Sequence, residues 1–476
     1  MEYTQTELIN AALSDPAHAP MSLADIVSAE IQEFKRSAEY RIMAEAEQYY
    51  RNRSDVQNKI NEIEQRSNTR IEHPILKKLI DQKAHYLLAK PWSVDAKNKA
   101  YGDALNELFD PQFRAKIMSQ GKAAIKSGIS WMQPYFDGQK LLWMRIPSTE
   151  IRPLWADGEH TKLDAFIRFY TQTVYQGRDK RIIKRAEYWD ANGVQWFIAP
   201  DGTDNYMLDF ERNGANHFDA DGKPYNWDVP PIVWTKYNEE ELPLNYYIKT
   251  LIDDINWQTS VTADVLRDVA KFIYILKNYG GQDLDEFIRE LRQSLAIKVD
   301  ADGGVDKLQA DLNIEAVLSF LEKQRRDVFD FGNAVDTKDP DLGNASGTAI
   351  NFRYMDLDTD CTSLGMQLKD TFQQMKPFVD TYLQMTGKGN FDGEKFDIVF
   401  NADMPVNETD IINNAKTSQG LISTRTILQN HPWVEDVEEE EKALEEEKKK
   451  AMEEFGEGLF DPVLAADEGG EPDAEE

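Results

Sequence analysis

Two long amphipathic stretches constrain the fold of this chain more than any other feature. In the first, roughly 246–270, apolar and small side chains recur at helical spacing, and the second, roughly 314–331, repeats the pattern. The segment between them contains a strand-like run, Phe272 to Leu276, and a hairpin around Asp302-Gly303-Gly304. We therefore predict a compact α/β insert at the tip of two helices that return side by side. Such a hairpin is typical of an assembly part, and nothing in it indicates a catalytic pocket.

The N-terminal half is predicted to contain helices followed by a strand region. One helix is expected from His73-Pro74 to Lys90-Pro91, and another from Tyr101 to Ser127 with a break at Pro111. Apolar and polar residues then alternate from Trp131 to Tyr237, with repeated Asp-Gly and Asn-Gly turns. The clearest hairpin joins 186–189 to 194–198. This region is predicted to be an antiparallel sheet laid on the helices.

The C-terminal part begins with a polar loop, 336–344, and a helix from Thr348 to about Met385. Gly365 and Pro377 predict that this helix bends. A strand is expected at 396–401, a highly charged helix or coil at 437–455, and disorder at 456–476. The predicted fold class is α+β and mainly helical.

The net charge of -31 is unevenly distributed. The segment 435–476 holds 19 acidic side chains against 4 lysines, a net of -15, so the preceding residues carry about -16. Wrapping duplex DNA requires a basic surface, which this composition excludes. An acidic protein can still enclose DNA without gripping it.

The residue types that support catalysis or metal binding are scarce. The single cysteine, Cys361, excludes an internal disulfide framework and fits a reducing compartment. His73 and His85 would lie about 18 Å apart on one helix, so they cannot share a metal from those positions. No Walker-type phosphate loop and no Gly-x-Ser-x-Gly elbow occurs, and no apolar run is long enough for a membrane span. We predict no enzyme activity and no cofactor.

Acidic and aromatic clusters have structural explanations. Acidic runs such as Asp253-Asp254 and 438–441 are predicted to be solvated faces, and the aspartates near 302 belong to a hairpin turn. The strand region holds many tryptophans, which could stack on nucleic acid or sugars, but without interleaved arginines a core role is favoured. These are Trp131, Trp143, Trp155, Trp189, Trp196, Trp227 and Trp234.

The order helix, insert, helix, loop, helix resembles the portal proteins of long-tailed double-stranded DNA bacteriophages. The similarity extends over about 23–433 and is carried by several short stretches. Three of them are the runs His73-Pro74-Ile75-Leu76-Lys77-Lys78-Leu79-Ile80-Asp81-Gln82-Lys83, Arg145-Ile146-Pro147-Ser148-Thr149-Glu150-Ile151 and Gly343-Asn344-Ala345-Ser346-Gly347. The others are the fragments Tyr279-Gly280-Gly281 and Phe331-Gly332 with Val335-Asp336. The acidic tail lies outside the resemblance.

The resemblance implies how the chain is divided. The segments would be a wing at 1–240, a first stem helix at 241–270, a clip insert at 271–312, a second stem helix at 313–334, a tunnel loop with a bent tunnel helix at 335–387, a crown at 388–455 and an acidic tail at 456–476. Copies of this protomer would assemble as a ring.

The resemblance also implies a function and partners. Twelve subunits would form a ring at one capsid vertex of the virion, through which double-stranded DNA is packaged and ejected. The terminase large subunit, a head–tail adaptor, and the major capsid and scaffold proteins would bind it, with no membrane involved. The terminase would hydrolyse ATP, which fits the missing phosphate loop.

Two groups of site residues are expected from this assignment. The tunnel loop would meet DNA through Asp336, Lys338, Asp339, Asp341 and Asn344. Its carboxylates would repel phosphates and its lysine would contact them transiently. The clip would join an adaptor or a neighbouring subunit through a strand edge. Its expected interface residues are Phe272, Tyr274, Leu276 and Val299.

Two other classes of protein remain compatible with the sequence. An acidic virion or interaction protein could mimic DNA, although such mimics usually spread their charge over a compact surface. An enzyme acting on a polymer could use the tryptophan-rich region, although no acid–base pair is supported by residue spacing.

Overall fold

A computed structural model describes most of the chain. The described residues are 4–14, 21–60, 67–137, 140–199, 203–212, 214–220, 223–268, 273–277, 304–308, 314–339, 347–401, 412, 415–429, 433–434 and 437–457. They divide into two compact units, one of 1–339 with 353–403 and one of 340–352 with 404–476.

Helices dominate both ends of the described chain. In chain order they are α1 (Gln5–Ser14), α2 (Leu23–Arg36), α3 (Ala38–Tyr50), α4 (Ile75–Leu88), α5 (Lys99–Leu108), α6 (Pro111–Ser127), α7 (Leu244–Asp268), α8 (Ile314–Phe331), α9 (Gly347–Met385), α10 (Thr424–Gln429) and α11 (Val437–Glu457). None of these helices is both long enough and apolar enough to cross a membrane.

The strands form antiparallel sheets. They are β1 (Ser93–Ala96), β2 (Ile129–Phe136), β3 (Leu141–Ile146), β4 (Ile151–Trp155), β5 (Leu163–Gln176), β6 (Asp179–Asp190), β7 (Gly193–Ala199), β8 (Met207–Leu208), β9 (Phe218–Ala220), β10 (Lys223–Tyr225), β11 (Val233–Lys236), β12 (Ile273–Lys277), β13 (Gly304–Leu308) and β14 (Phe396–Val399). Strands β4 to β8 make a meander in sequence order, and β2 lies between β11 and β3. The predicted hairpin is confirmed as β6–β7, with Asp190 opposite Gly193. The mixed α+β class is confirmed as well.

Local signals explain where several helices begin. Ser22 and Asp25 form a capping box at α2, each side chain accepting the other's backbone N–H. The predicted break at Pro111 is confirmed, because α5 ends at Leu108 and Asp110 caps α6 by accepting from the N–H of Phe113 at 2.7 Å.

The tryptophans of the strand region serve the core. Five of the seven are less than 10% exposed, and the other two are half-buried. Trp131 and Trp155 lie in a cluster between the meander and α2, with ring centroids 5.8 Å apart. The predicted core role is confirmed for the five: Trp131, Trp143, Trp155, Trp227 and Trp234.

The predicted helical hairpin is confirmed, since α7 packs beside α8 and the Gln324 amide of α8 donates to the Asp254 carboxylate of α7. Both members of the Asp253-Asp254 pair have partners, because Asp253 accepts from Tyr49 Oη at 2.5 Å and from Lys249 at 2.7 Å. The prediction that these acids form a solvated face was wrong, since they hold helices together.

The apolar stripe predicted along the whole of α7 is only half right. Its first half buries Leu244, Ile248, Ile252 and Ile255. The second half buries Asn256, Ser260 and Asp264 instead, and Leu266 is 51% exposed.

An irregular segment, 69–73, explains this polar stripe. Its backbone lies against the second half of α7, and none of the described strands pairs with it. Side chains spaced four residues apart on α7 accept them: Asp264 from Thr69 at 2.7 Å, Ser260 from Ile71 at 2.9 Å and Asn256 from His73 at 3.0 Å. A buried N–H without a partner is costly, so polar residues at these positions stabilise the contact.

Helix α9 runs unbroken from Gly347 to Met385 with Pro377 inside it. From Leu357 onward its buried face packs into the core of the larger unit, and Phe372 lies 5.1 Å from Trp92 between ring centroids. The fully or nearly buried residues of this face are Leu357, Cys361, Leu364, Leu368, Phe372, Met375, Phe378, Val379 and Leu383.

The smaller unit contains α10 and α11. Arg425 of α10 pairs with Glu441 of α11 at 3.2 Å. The charged helix predicted at 437–455 is confirmed as α11.

Candidate functional site

The loop that follows α8 is fastened to α4 at its base. The Gln82 side chain forms two hydrogen bonds with the backbone of Val335: its amide nitrogen donates to the carbonyl at 2.9 Å and its oxygen accepts from the N–H at 3.1 Å. Val335 is 4% exposed, and Asn333 just before it adopts a left-handed backbone with φ of 47°. The loop therefore begins from a fixed position.

Lys83 joins this loop base to the long helix α9. Its side chain is fully buried, and its ammonium donates to the Asn333 carbonyl at 2.8 Å and to Asp360 at 2.7 Å. The Tyr237 hydroxyl completes the group by donating to the Asp360 carboxylate at 3.0 Å. Burial, reinforced by the Asp360 charge, holds the pKa of Tyr237 well above its usual value.

Asp336 is held in place by cations. Arg325 of α8 donates to its two carboxylate oxygens at 2.7 and 2.9 Å, and Lys78 of α4 lies 3.8 Å away. The backbone N–H of Lys338 donates to the same carboxylate at 3.1 Å. Burial alone would raise the pKa of Asp336, but the bonds from Arg325 and Lys338 outweigh it and lower that pKa.

The structure describes only some of the remaining loop residues. Asp339 pairs with Arg353 at the start of the buried part of α9, and Lys338 is exposed. Asp341 and Asn344 lie outside the described residues. Both described carboxylates of the loop are therefore neutralised within the protomer, so the loop base is less negative than its sequence suggests.

The expected clip residues are described only in part. Tyr274 and Leu276 lie in β12, opposite Lys307 and Val305 of β13, whereas Phe272 and Val299 lie outside the described residues. The described part of the predicted strand is Ile273–Lys277. Among the described strands, β13 is the one that pairs with β12.

The cysteine has the environment of a packed thiol. Cys361 is buried in α9, and its sulfur lies 3.5 Å from the Lys83 carbonyl. Burial raises the pKa of Cys361 to about 12, with Lys83 acting against the shift. A thiol in this state is a poor nucleophile at neutral pH.

The described histidines hold backbone and side-chain partners. His160 Nδ1 lies 2.8 Å from Glu241, and His217 accepts from the Trp227 N–H at 3.0 Å. Among the described residues, no three side chains of the metal-binding types come close enough to share an ion.

Three residues at the loop base were not predicted from the sequence as site residues: Lys78, Lys83 and Arg325. The first two fall inside the run that resembles the portal family, and the third lies on a predicted stem helix. A lysine inside an apolar helical face is a signal that could have marked Lys83, because burial of such a charge requires a partner.

The described residues combine an α+β fold, two paired helices with two strands between them in sequence, and a firmly anchored loop, which favours the class of structural proteins. Residues 34–454 match the family described as "Phage portal protein, SPP1 Gp6-like", and the chain belongs to that family. The match begins later than the resemblance noted in the sequence and extends further, through most of α11.

Two relatives are similar over most of their length. The portal protein of Bacillus phage SPP1 is 29% identical over 419 residues, which cover 86% of this chain and 81% of the relative. The portal protein of Clostridium phage phiCD119 is 27% identical over 436 residues, which cover 85% and 92%. This membership favours a structural portal role over a DNA mimic or a polymer-active enzyme.

Proposed function

We propose that this chain is the subunit of a twelve-membered ring at one capsid vertex of a phage virion, and that the ring forms the channel for DNA packaging and ejection. Family membership is the observation that carries this proposal. In this assignment 1–240 forms the wing, α7 and α8 the stem, 271–312 the clip, 335–387 the tunnel segment and 388–455 the crown.

Exposed apolar side chains on the stem support assembly. Trp257 and Leu266 of α7 are 46% and 51% exposed, and Leu318 and Phe320 of α8 are 55% and 46% exposed. Apolar surface of this kind favours burial against another chain. A neighbouring subunit is the partner we assign to it.

The clip and crown supply the other proposed contacts. The edge of β12 opposite β13, with Tyr274 and Leu276, would pair with a neighbouring subunit or a head–tail adaptor, together with Phe272 and Val299. The terminase large subunit would dock on the ring and supply ATP hydrolysis. Major capsid and scaffold proteins would surround the wing and crown.

The tunnel loop is proposed to face the DNA with its tip, while its base serves the protein. Asp336 pairs with both Arg325 and Lys78 and is assigned to the loop base. Asp339, which pairs with Arg353, is assigned to the channel with Lys338, Asp341 and Asn344. Carboxylates here would repel phosphates over about one Debye length, roughly 8 Å at physiological salt. The duplex would then slide rather than bind.

Ring assembly is tested by placing a charge on the exposed apolar surface of the proposed stem helices. The variant Leu318→Asp places a carboxylate on the apolar surface, and Ser319→Asp places the same charge one residue away. We expect the first to give monomers or incomplete rings and the second to assemble like the parent protein. Solution mass and negative-stain electron microscopy would measure this, and equal assembly of both variants would contradict the proposed interface.

The proposed repulsion between loop carboxylates and DNA is tested by variants that leave Asp336 unchanged. Reversing Asp339 and Asp341 to lysine should slow packaging or stop it partway, because each added cation holds a phosphate. Reversing Glu446 and Glu447 of α11 changes the net charge equally and serves as the control. Packaged length and rate in an assembly system would be measured, and an unchanged rate for the loop variant would refute the assignment.

A further inference from the structure

Strands β5 and β6 extend beyond the sheet to which they belong. Strand β4 pairs with β5 only as far as Arg168, and β7 begins to pair with β6 at Lys184. Past these points 172–183 forms a two-stranded hairpin with its tip at Gly177, and we call 172–183 the arm. A ribbon of two strands is marginally stable in water by itself, so a partner that packs against the arm would stabilise it.

The surface of the arm is both apolar and basic. Tyr175 and Ile182 are 75% and 59% exposed. Ile182 lies opposite Thr173, two residues from Tyr175, so the two apolar side chains project from the same face. Three exposed cations accompany one acid, Asp179, and among the described residues no carboxylate pairs with them: Arg178, Lys180 and Arg181.

An acidic cleft lies in the same compact unit. Its volume is about 680 Å³, and Met366 in its wall is 65% exposed. Lys236 also lines the cleft, but its ammonium lies 3.0 Å from the Glu241 carboxylate and is balanced by it. Three exposed carboxylates of the cleft have no cationic partner within the described part of the chain: Glu159, Glu239 and Asp370.

The arm and the acidic cleft lie at opposite ends of β5. Thr161 of the cleft comes just before the strand begins at Leu163, whereas the arm tip at Gly177 follows its end. Fourteen residues of strand span roughly 43 Å, and none of the residues lining the cleft belongs to the arm. A contact between the two surfaces would therefore join different copies of the chain, head to tail.

We propose that the arm of one copy docks in the acidic cleft of a second copy of this chain. This inference rests on the proposed ring and deepens it, since head-to-tail contacts close into rings when their rotation allows. Charge selects the occupant, because two cationic arms repel each other and do not favour edge-to-edge pairing. The thioether of Met366 offers Tyr175 an apolar contact.

A charge swap in the full-length protein tests the contact. Lys180→Glu with Arg181→Glu should raise the concentration needed for half-maximal association at least about tenfold at low salt, because attraction becomes repulsion. High salt should shrink the effect, since these charges are exposed to solvent. Adding Glu239→Lys and Asp370→Lys to the same chain restores complementary charges and should recover most of the association.

A matched control changes the net charge equally. Lys97→Glu with Lys395→Glu places two reversed charges at exposed positions outside both surfaces, and this variant should associate like the parent protein. Association would be measured as the solution mass of each sample over a series of protein and salt concentrations.

Cross-linking tests which surfaces meet. Protein carrying Tyr175→Cys is mixed with protein carrying Met366→Cys and treated with a short bis-maleimide, while the buried Cys361 thiol stays unreactive. The mixed dimer should form at least about tenfold faster than with Phe210→Cys in place of Met366→Cys. Phe210 is 81% exposed and does not line the cleft, so it controls for random collision.

Three results would overturn the contact while the portal assignment stands. These are rings that yield no more mixed dimer than the control, cross-linking of Tyr175→Cys protein with itself, and an arm reversal that associates like the parent. Each would show that the arm meets some other surface. A parent protein that stays monomeric at every concentration and salt would instead overturn the proposed ring, and this contact with it.

Discussion

Replacing Lys83 by methionine tests whether the loop base depends on a buried charge. Methionine keeps an unbranched side chain of similar length in the α4 position and removes the ammonium. The change deprives the Asn333 carbonyl and the Asp360 carboxylate of a donor at once. Asp360 would then keep only the Tyr237 hydroxyl.

The size of the effect follows from the burial of the pair. Removing one partner of a buried ion pair costs about 3–5 kcal/mol, because the other charge stays desolvated. Lys83 is fully buried and the Asp360 side chain is 17% exposed, which places the cost near the lower end, about 3 kcal/mol. A cost of that size corresponds to about 150-fold easier local opening. The double variant Lys83→Met with Asp360→Asn removes both charges and should recover at least half of the loss.

Hydrogen exchange of peptides covering 328–339 measures this opening. The Val335 N–H, which donates to Gln82 at 3.1 Å, should exchange about 100-fold faster in Lys83→Met. Lys77→Met, a change of an exposed lysine on the same helix, should remain within about threefold of the parent. Exchange in Lys83→Met at the parent rate, or a double variant as fast as the single one, would refute the reasoning.

Two further predictions concern the larger unit. Gly128→Ala should destabilise it by at least about 3 kcal/mol in urea unfolding, because φ is +83° and the new Cβ would lie 1.8 Å from the Glu241 carbonyl oxygen. The control Gly177→Ala, at φ +66° with open space around the new Cβ, should cost only about 1 kcal/mol. Equal costs for the two variants would contradict a steric clash at Gly128. Burial lowers the pKa of His217, so its contribution to stability is complete above the unfolded pKa near 6.5 and is lost as the pH falls below that value. His217→Gln should therefore flatten the decline of stability between pH 7.5 and 5.5, measured by unfolding at each pH. An unchanged decline would contradict this role of His217.

Patterns local in sequence were sufficient to predict most elements. The helix after His73-Pro74 begins at Ile75 and ends at Leu88, and the Asp-Ala-Asn-Gly turn joins β6 to β7 as expected. Both predictions depend on spacing and turn chemistry within about fifteen residues. Such signals do not need the rest of the fold.

The contacts that define the candidate site depend on residues far apart in sequence. Lys83 and Asp360 are 277 positions apart, and Gln82 lies 253 positions from Val335. No periodicity links such positions. The polar stripe of α7 was missed for the same reason, because its partner is an irregular segment that carries no pattern of its own.

Helix α9 also has a mechanical consequence. Arg353, which holds Asp339 at the loop base, and Leu383, which is fully buried, lie on one continuous helix and are separated by roughly 45 Å along its axis. Displacement of the loop base would therefore act on a helix whose own buried residue Phe372 packs against Trp92 in the core of the larger unit. A change at the loop base would thus be coupled to the packing of residues far along the chain.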